Sequence, residues 1–288
     1  ASEREMCSQY ILDSVLYWVE EYHIDGFRFD LMGLLDTELM NRIRKALDEK
    51  YGRGEILLFG EPWAADETAS EGDAVMALKK NISHLDKYVG MFCDDTRDAI
   101  KGHVFEGEIP GFVNGAENME EKILNSVKAW CTKEPSQVIT YVSAHDNWTL
   151  WDKLSITTPD EERRMMENKL AAAIYMTCQG HLFMLSGEEF ARTKDGHENT
   201  YNSSISLNRL DWKRAYKYEE LSTFYEGLIA LYIIYNATEE EVETALPKGE
   251  WEVLLNEEDS FSWKKQKKAE KATAAPLSAL VLGRRGCI

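Results

Sequence analysis

The chain opens on a helix-period run. In "MCSQYILDSVLYWVEEYH", Ile11, Leu12, Val15, Leu16, Val19 and Tyr22 fall on one stripe, which predicts a helix with that stripe against a core. "IDGFRFD" follows and predicts a strand. The helical period returns in "DTELMNRIRKALDEKYG". There Leu39, Met40, Ile43 and Leu47 make the apolar face, Asp36 or Thr37 the cap and Gly52 the stop. "EILLFGEPW" holds an unbroken apolar run and predicts a strand buried on both faces. Helix, strand, helix, strand at this spacing predicts a parallel α/β fold.

The pattern loosens further on. Residues 64 to 116 are glycine-dotted and hold "VGMFCDD" and "TRDAIKG". A helix is expected from about Ala116 to Cys131, a strand over "SQVITYVSAHDN", and a helix from about Glu161 to Cys178. A short apolar run, "HLFMLSG", precedes the polar loop "EEFARTKDGHENTYNSSISLNRLDW". Another helix is expected at about Tyr218 to Leu231. "YIIYNATEEEVETALPKGEWEVLLN" alternates around Pro247-Lys248-Gly249 and predicts a hairpin.

Charge changes the picture at the strand ends. Arg28 and Asp30 interrupt an apolar strand, and their shared parity turns them to one face while Phe27 and Phe29 turn to the other. A second strand ends at Glu61 and a third at His145-Asp146. One such carboxylate is explained by an ion pair, a cap or a polar turn. Three on parallel strands point to a catalytic rim, because α/β barrels do their chemistry at the C-terminal ends of their strands. Two carboxylates flanking one bond are what glycoside hydrolysis requires, roughly 5–5.5 Å apart when configuration is retained. Glu61, between "ILLF" and Pro62-Trp63, has the more apolar surroundings and suits the acid/base, whose pKa must be raised. Asp30, beside Arg28, suits the nucleophile.

Composition narrows the alternatives. The 288 residues are 44% hydrophobic and 29% charged, enough to bury a substantial core. A formal charge of −18 argues against nucleic acid and anionic membranes as partners, and fits a neutral sugar. No apolar run reaches transmembrane length. The start, "ASEREMCSQY", has no signal-peptide pattern and no initiator Met, so the natural start is expected upstream. Five scattered cysteines, Cys7, Cys93, Cys131, Cys178 and Cys287, form no CxxC pair and are expected to be buried or incidental thiols, which points to the cytoplasm. Asp94-Asp95 is an acidic pair able to ligate Ca²⁺, with a solvated pair as the expected state. No cofactor or metal is required by these residues. The lysines of "WKKQKKAEK" are expected to be a solvated face.

"DGFRFD", "GEPW" and "VSAHDN" resemble three short regions of the α-amylase clan of glycoside hydrolases. With "HDNWTLWDKL", "MFCDDTRDAIKG", "GEIPGFVNG" and "GEEFARTK…NTYNSSISLNRLDW", the likeness is to type I pullulanases and runs from about Met6 to Ile234. The resemblance implies the C-terminal part of a (β/α)8 TIM barrel, about the last five strands, in residues 1–232. Residues 233–288 would be the remnant of a C-terminal β-sandwich. It implies hydrolysis of α-1,6 branch links in pullulan, limit dextrin or glycogen. Asp30 would be nucleophile, Arg28 its charge partner and Glu61 the acid/base. Asp146 would be the third carboxylate, with His145 beside it on sugar hydroxyls. Tyr201, Asn202 and Asn208 match a loop that shapes the family's binding site, and Trp63, Trp148 and Trp151 are candidates to stack on glucose, each alternatively a core or wall residue, with the core expected for Trp151.

The first clan region, an Asn-His segment on an earlier strand, is absent, and "YEGLIAL" runs straight into "YIIYNA" as if across a join. The chain is therefore expected to be a C-terminal piece of a longer enzyme, carrying the catalytic carboxylates but not a whole active site. Another clan hydrolase, an isoamylase or an α-1,4-acting amylase, and an inactive glucan-binding remnant stay open.

Overall fold

The computed structural model describes residues 2–65, 72–130, 134–236, 239–256, 268–269, 271–276 and 278–284. They fall into two compact units, Ala1–Asn147 with Cys178–Leu185, and Trp148–Thr177 with Ser186–Ile288.

In the first unit, α1 (Glu5–Tyr22) ends at His23, whose left-handed backbone (φ 54) turns the chain into β1 (Gly26–Phe29). Asp36 caps α2 (Thr37–Tyr51) by accepting from the Leu39 N–H, and Gly52 ends it. Next come β2 (Leu57–Gly60), β3 (Gly90–Phe92), α3 (Asp94–Lys101), α4 (Glu120–Val127), β4 (Val138–Thr140) and β5 (His181–Leu182). The five strands form one sheet in the order β1-β2-β3-β4-β5, every neighbouring pair parallel. This is part of a TIM barrel, a run of parallel strands in chain order, with β1 and β5 as its two edges among the described residues.

The core explains the register. Leu39, Met40, Ile43 and Leu47 of α2 are almost wholly buried, together with Val15 and Val19 of α1, and Phe27 and Phe29 pack against them. The aromatic side of β1 therefore meets the helices, and the alternation turns Arg28 the other way. Ile43→Ala is expected to destabilise the chain by about 2–5 kcal/mol, the cost of a lost core side chain plus its cavity. Urea denaturation reads that loss as a lower midpoint.

Several expectations shift. Tyr22, expected on the buried stripe, is 57% exposed, because the helix buries only its Val15-Val19 side. The glycine-dotted stretch contains a further strand, β3, which lies between the strand leading to Glu61 and the strand leading to His145-Asp146. β4 is shorter than expected and stops at Thr140. Cys93 is disulfide-bonded, contrary to the thiol expected, whereas Cys7 and Cys178 are free.

The second unit holds α5 (Leu150–Thr157), α6 (Glu161–Tyr175), α7 (Ile205–Asn208), α8 (Lys213–Lys217) and α9 (Glu219–Ile229). Ala230 alone separates α9 from β6 (Leu231–Asn236). After it come β7 (Val242–Thr244), β8 (Trp251–Leu255), β9 (Lys268–Ala269), β10 (Ala272–Ala274) and β11 (Ser278–Arg284). The expected hairpin is not formed. β11 lies between β6 and β8 and pairs antiparallel with both, while β7 pairs with β10. Of the lysine-rich tail, residues 264, 265 and 267 lie outside the described residues, and Lys268 and Lys271 pair with Glu250 and Glu243. No helix among the described residues is long and apolar enough to cross a membrane.

Candidate active site

Strand register brings the first two carboxylates together. Phe29 pairs with Gly60, and Asp30 and Glu61 are the next residues on their strands. Neighbouring strands run about 4.8 Å apart, so both acids leave the C-terminal rim of the sheet side by side. The Glu61 N–H donates to the Phe29 carbonyl at 3.0 Å and carries the ladder one step further. Arg28 then spans the pair. Its Nη1 donates to Asp30 Oδ1 at 2.8 Å and its Nη2 to Glu61 Oε1 at 2.5 Å. The guanidinium also lies 5.9 Å from the centre of the Phe92 ring, within cation–π range. One planar fork thus fixes two carboxyls a few ångströms apart.

The two acids have opposite surroundings. The Asp30 side chain is 70% exposed and the Glu61 side chain 6%. Burial pushes the Glu61 carboxyl above the usual range; the Leu31 N–H, which donates to Oε2 at 2.7 Å, and Arg28 pull it back, while the charges of Asp30 and Asp146 push it up. The net direction is upward.

The loop after β1 is built against the loop after β2. Leu31 takes a left-handed conformation (φ 42). The Gly33 N–H is shared between the carbonyls of Glu61 and Trp63 at 3.1 and 3.2 Å. A Cβ on Gly33 would stand 2.6 Å from the carbonyl carbon and oxygen of Trp63. Gly33→Ala is expected to cost roughly 1–3 kcal/mol of stability through overpacking and to lower turnover by pulling the Leu31 amide from Glu61. Denaturation and initial-rate assays of the same variant check both halves.

The other expected residues fare differently. Asp146 lies well past the end of β4, in a loop that turns at Asn147 (φ 57). Its Oδ2 is 3.5 Å from His145 Nε2, both side chains are exposed, and its charge reaches Glu61. Trp63 is half-buried in an aromatic cluster with Phe59, Phe92, Tyr141 and Phe183. Tyr201, Asn202 and Asn208 belong to the second unit. Tyr201 and Asn202 are exposed, but the Asn208 amide is tied at both ends to Thr200, at 2.8 Å each. Trp151 is buried against Tyr218.

Asp94 and Asp95 are not a free acidic pair. Lys79 Nζ reaches Asp94 Oδ1 at 2.7 Å and Asp95 Oδ2 at 2.6 Å. Burial alone would lower the Lys79 pKa, and the two carboxylates more than reverse it. Among the described residues, no group of three or more His, Cys, Asp or Glu side chains gathers to hold a metal ion. Sequence reasoning missed the Leu31 amide, the Phe92 ring and Lys79. None carries a local signal, since each meets its partner across the fold.

A family model for the alpha-amylase catalytic domain matches residues 1–227. The chain belongs to this family. Among alpha-amylase relatives, the pullulanase of Bacillus subtilis is 41% identical over 243 residues, 80% of this chain and 33% of that protein. Pullulanase 1 of Arabidopsis thaliana, a chloroplastic protein, is 31% identical over 271 residues, 74% of this chain and 28% of that protein. The solved pullulanase of Paenibacillus barengoltzii, in complex with maltohexaose and alpha-cyclodextrin, superposes with a TM-score of 0.76 at 34% identity. The match covers 99% of this chain and 51% of that one. The chain thus spans about a third of the curated relatives and about half of the solved structure.

Proposed function

We propose that this chain carries the chemistry of a retaining debranching hydrolase that cuts α-1,6 links in branched α-glucans such as pullulan, limit dextrin and glycogen. One observation carries the proposal. A buried Glu61 with a raised pKa and an exposed Asp30 stand on adjacent strand ends, joined by Arg28. In the first step Glu61 gives its proton to the glucosidic oxygen while the Asp30 carboxylate attacks the anomeric carbon from the opposite face. The aglycone leaves, and a glucosyl ester of Asp30 remains. In the second step Glu61, now ionised, takes a proton from water; that water attacks the anomeric carbon and frees Asp30, with the configuration retained. Arg28 disperses the charge of the departing Asp30 carboxylate and keeps the Glu61 pKa from rising further. Asp146 and His145 hold ring hydroxyls. Within the second unit, Tyr201 and Asn202 take a glucan-binding role of their own, with Asn208 shaping their loop. Trp63 walls the site through its half-buried ring.

In this reading residues 1–232 are the catalytic part and 233–288 a β-rich remnant, both of a longer enzyme. The role in glucan debranching is supported by the pullulanases it resembles. The cytoplasmic location inferred from the cysteines loses support at Cys93, which is disulfide-bonded, and keeps it at the free thiols Cys7 and Cys178. At Asp94 and Asp95, the acidic pair able to ligate calcium, the Lys79 ammonium bridges the two carboxylates. The test is the product released from pullulan, whatever the rate. Maltotriose is expected from α-1,6 cleavage. Panose or isopanose would assign an α-1,4-acting enzyme instead.

A further inference from the structure

The second unit holds a buried carboxylate that the mechanism does not use. Asp152 lies on the first turn of α5 and is only 2% exposed. One part of its work is local, since Thr149 Oγ1 donates to Oδ2 at 2.9 Å and accepts from the Asp152 N–H at 3.1 Å. The rest lies far along the chain. The Lys194 N–H donates to Oδ2 at 2.7 Å, the Gly196 N–H to Oδ1 at 3.3 Å, and the Thr193 hydroxyl also donates to Oδ1. The neighbouring Trp148 indole N–H donates to the Gly196 carbonyl at 3.1 Å. A single helix start thus grips residues 193–196 from two side chains.

Ala191 and Asp195 are both left-handed, at φ 58 and 51, a region that non-glycine residues avoid. Downstream, Lys194 Nζ donates to the Glu198 carbonyl at 2.9 Å, the Asn208 amide closes on Thr200, and Arg192 donates to the Asn208 carbonyl. Asp152 thus reaches Lys194 and Lys194 reaches Glu198, and the Thr200–Asn208 tie begins two residues further on. Tyr201 and Asn202 lie exposed in the turn that the Ser203 N–H closes on the Thr200 carbonyl.

We propose that Asp152 is a positioning residue for the glucan. Its buried carboxylate holds the 193–208 loop in the single conformation that presents Tyr201 and Asn202. This rests on the glucan-binding role given above to those two residues. Asp152 touches no sugar itself; it removes the entropy that a free loop would lose on binding.

The test uses the 288-residue chain, Asp152→Asn and Thr193→Val, with two readouts. The first needs no ligand. Lys194 is 2% exposed, so trypsin cleaves after it only when the loop opens. Asp152→Asn should speed that cleavage by about tenfold or more, since hydrogen bonds to a charged acceptor are lost. Thr193→Val, which leaves the α5 cap intact, should speed it less, and covers the case in which Asp152→Asn fails to fold. Unchanged cleavage in both variants overturns the clamp. The second readout is calorimetry with maltotetraose in a double-mutant cycle. Tyr201→Ala should weaken binding in the parent and have little further effect in Asp152→Asn or Thr193→Val. Fully additive losses overturn the positioning role, because they mean that Tyr201 is presented equally well without the clamp. If the unaltered chain binds no maltotetraose, the glucan reading of this loop fails, and cleavage alone then decides whether the clamp exists.

Discussion

Asp30→Asn is expected to remove turnover of pullulan almost completely, by roughly 10⁴-fold or more, as loss of a covalent nucleophile does elsewhere. Binding of malto-oligosaccharide should persist. The Asp30 side chain is 70% exposed and pairs with Arg28. Its replacement by a neutral isostere leaves the buried core untouched. The competing explanation, an ion pair kept for stability, predicts a different pairing of effects. An exposed ion pair is worth only about 0–1 kcal/mol, so Asp30→Asn would then shift the melting temperature slightly and spare turnover. Initial rates beside calorimetric affinity separate the two cases.

Glu61→Gln is expected to lower kcat on pullulan by roughly 10²–10⁴-fold, the usual contribution of a positioned acid/base. It should do far less damage to the first step on a glycosyl fluoride, whose leaving group needs no proton. The pH profile carries the same assignment. Glu61 must be protonated to act, so kcat falls as pH rises through its elevated pKa, and the elevation extends activity toward neutral pH. In Glu61→Gln this alkaline limb disappears. Arg28→Met removes a cation that favours the ionised carboxyl, which raises the Glu61 pKa further and moves the limb to higher pH. A limb that stays in place in Arg28→Met, or survives in Glu61→Gln, assigns the titration to another group.

The first half of the barrel fragment was readable because its signals are local. α2 shows its period, its Asp36 cap and its Gly52 stop within one window, and β1 declares its two faces by alternation. β3 escaped because three buried residues, "GMF", are too short for any period to appear. Asp146 was picked out from the sequence, but the backbone that carries it was not, since β4 gives way to loop at Thr140. The hairpin failed for another reason. β6 and β8 have alternating sequences, yet the strand that pairs with both is β11, far along the chain, and alternation does not specify a partner. At the site, the sequence supplied Asp30, Glu61 and Arg28 but joined Arg28 to Asp30 alone. The bond to Glu61 depends on the Phe29–Gly60 register.

The central claim is that Asp30 becomes bonded to sugar. Incubation of the chain with a 5-fluoro-maltosyl fluoride, followed by protease digestion and mass spectrometry, tests it most directly. The electron-withdrawing fluorine slows hydrolysis of the ester, and fluoride departs without help from Glu61, so even slow turnover leaves a label. The account predicts a maltosyl adduct on Asp30 in the peptide "IDGFRFD" and none in Asp30→Asn. An adduct on another residue, or full labelling of Asp30→Asn, would contradict it.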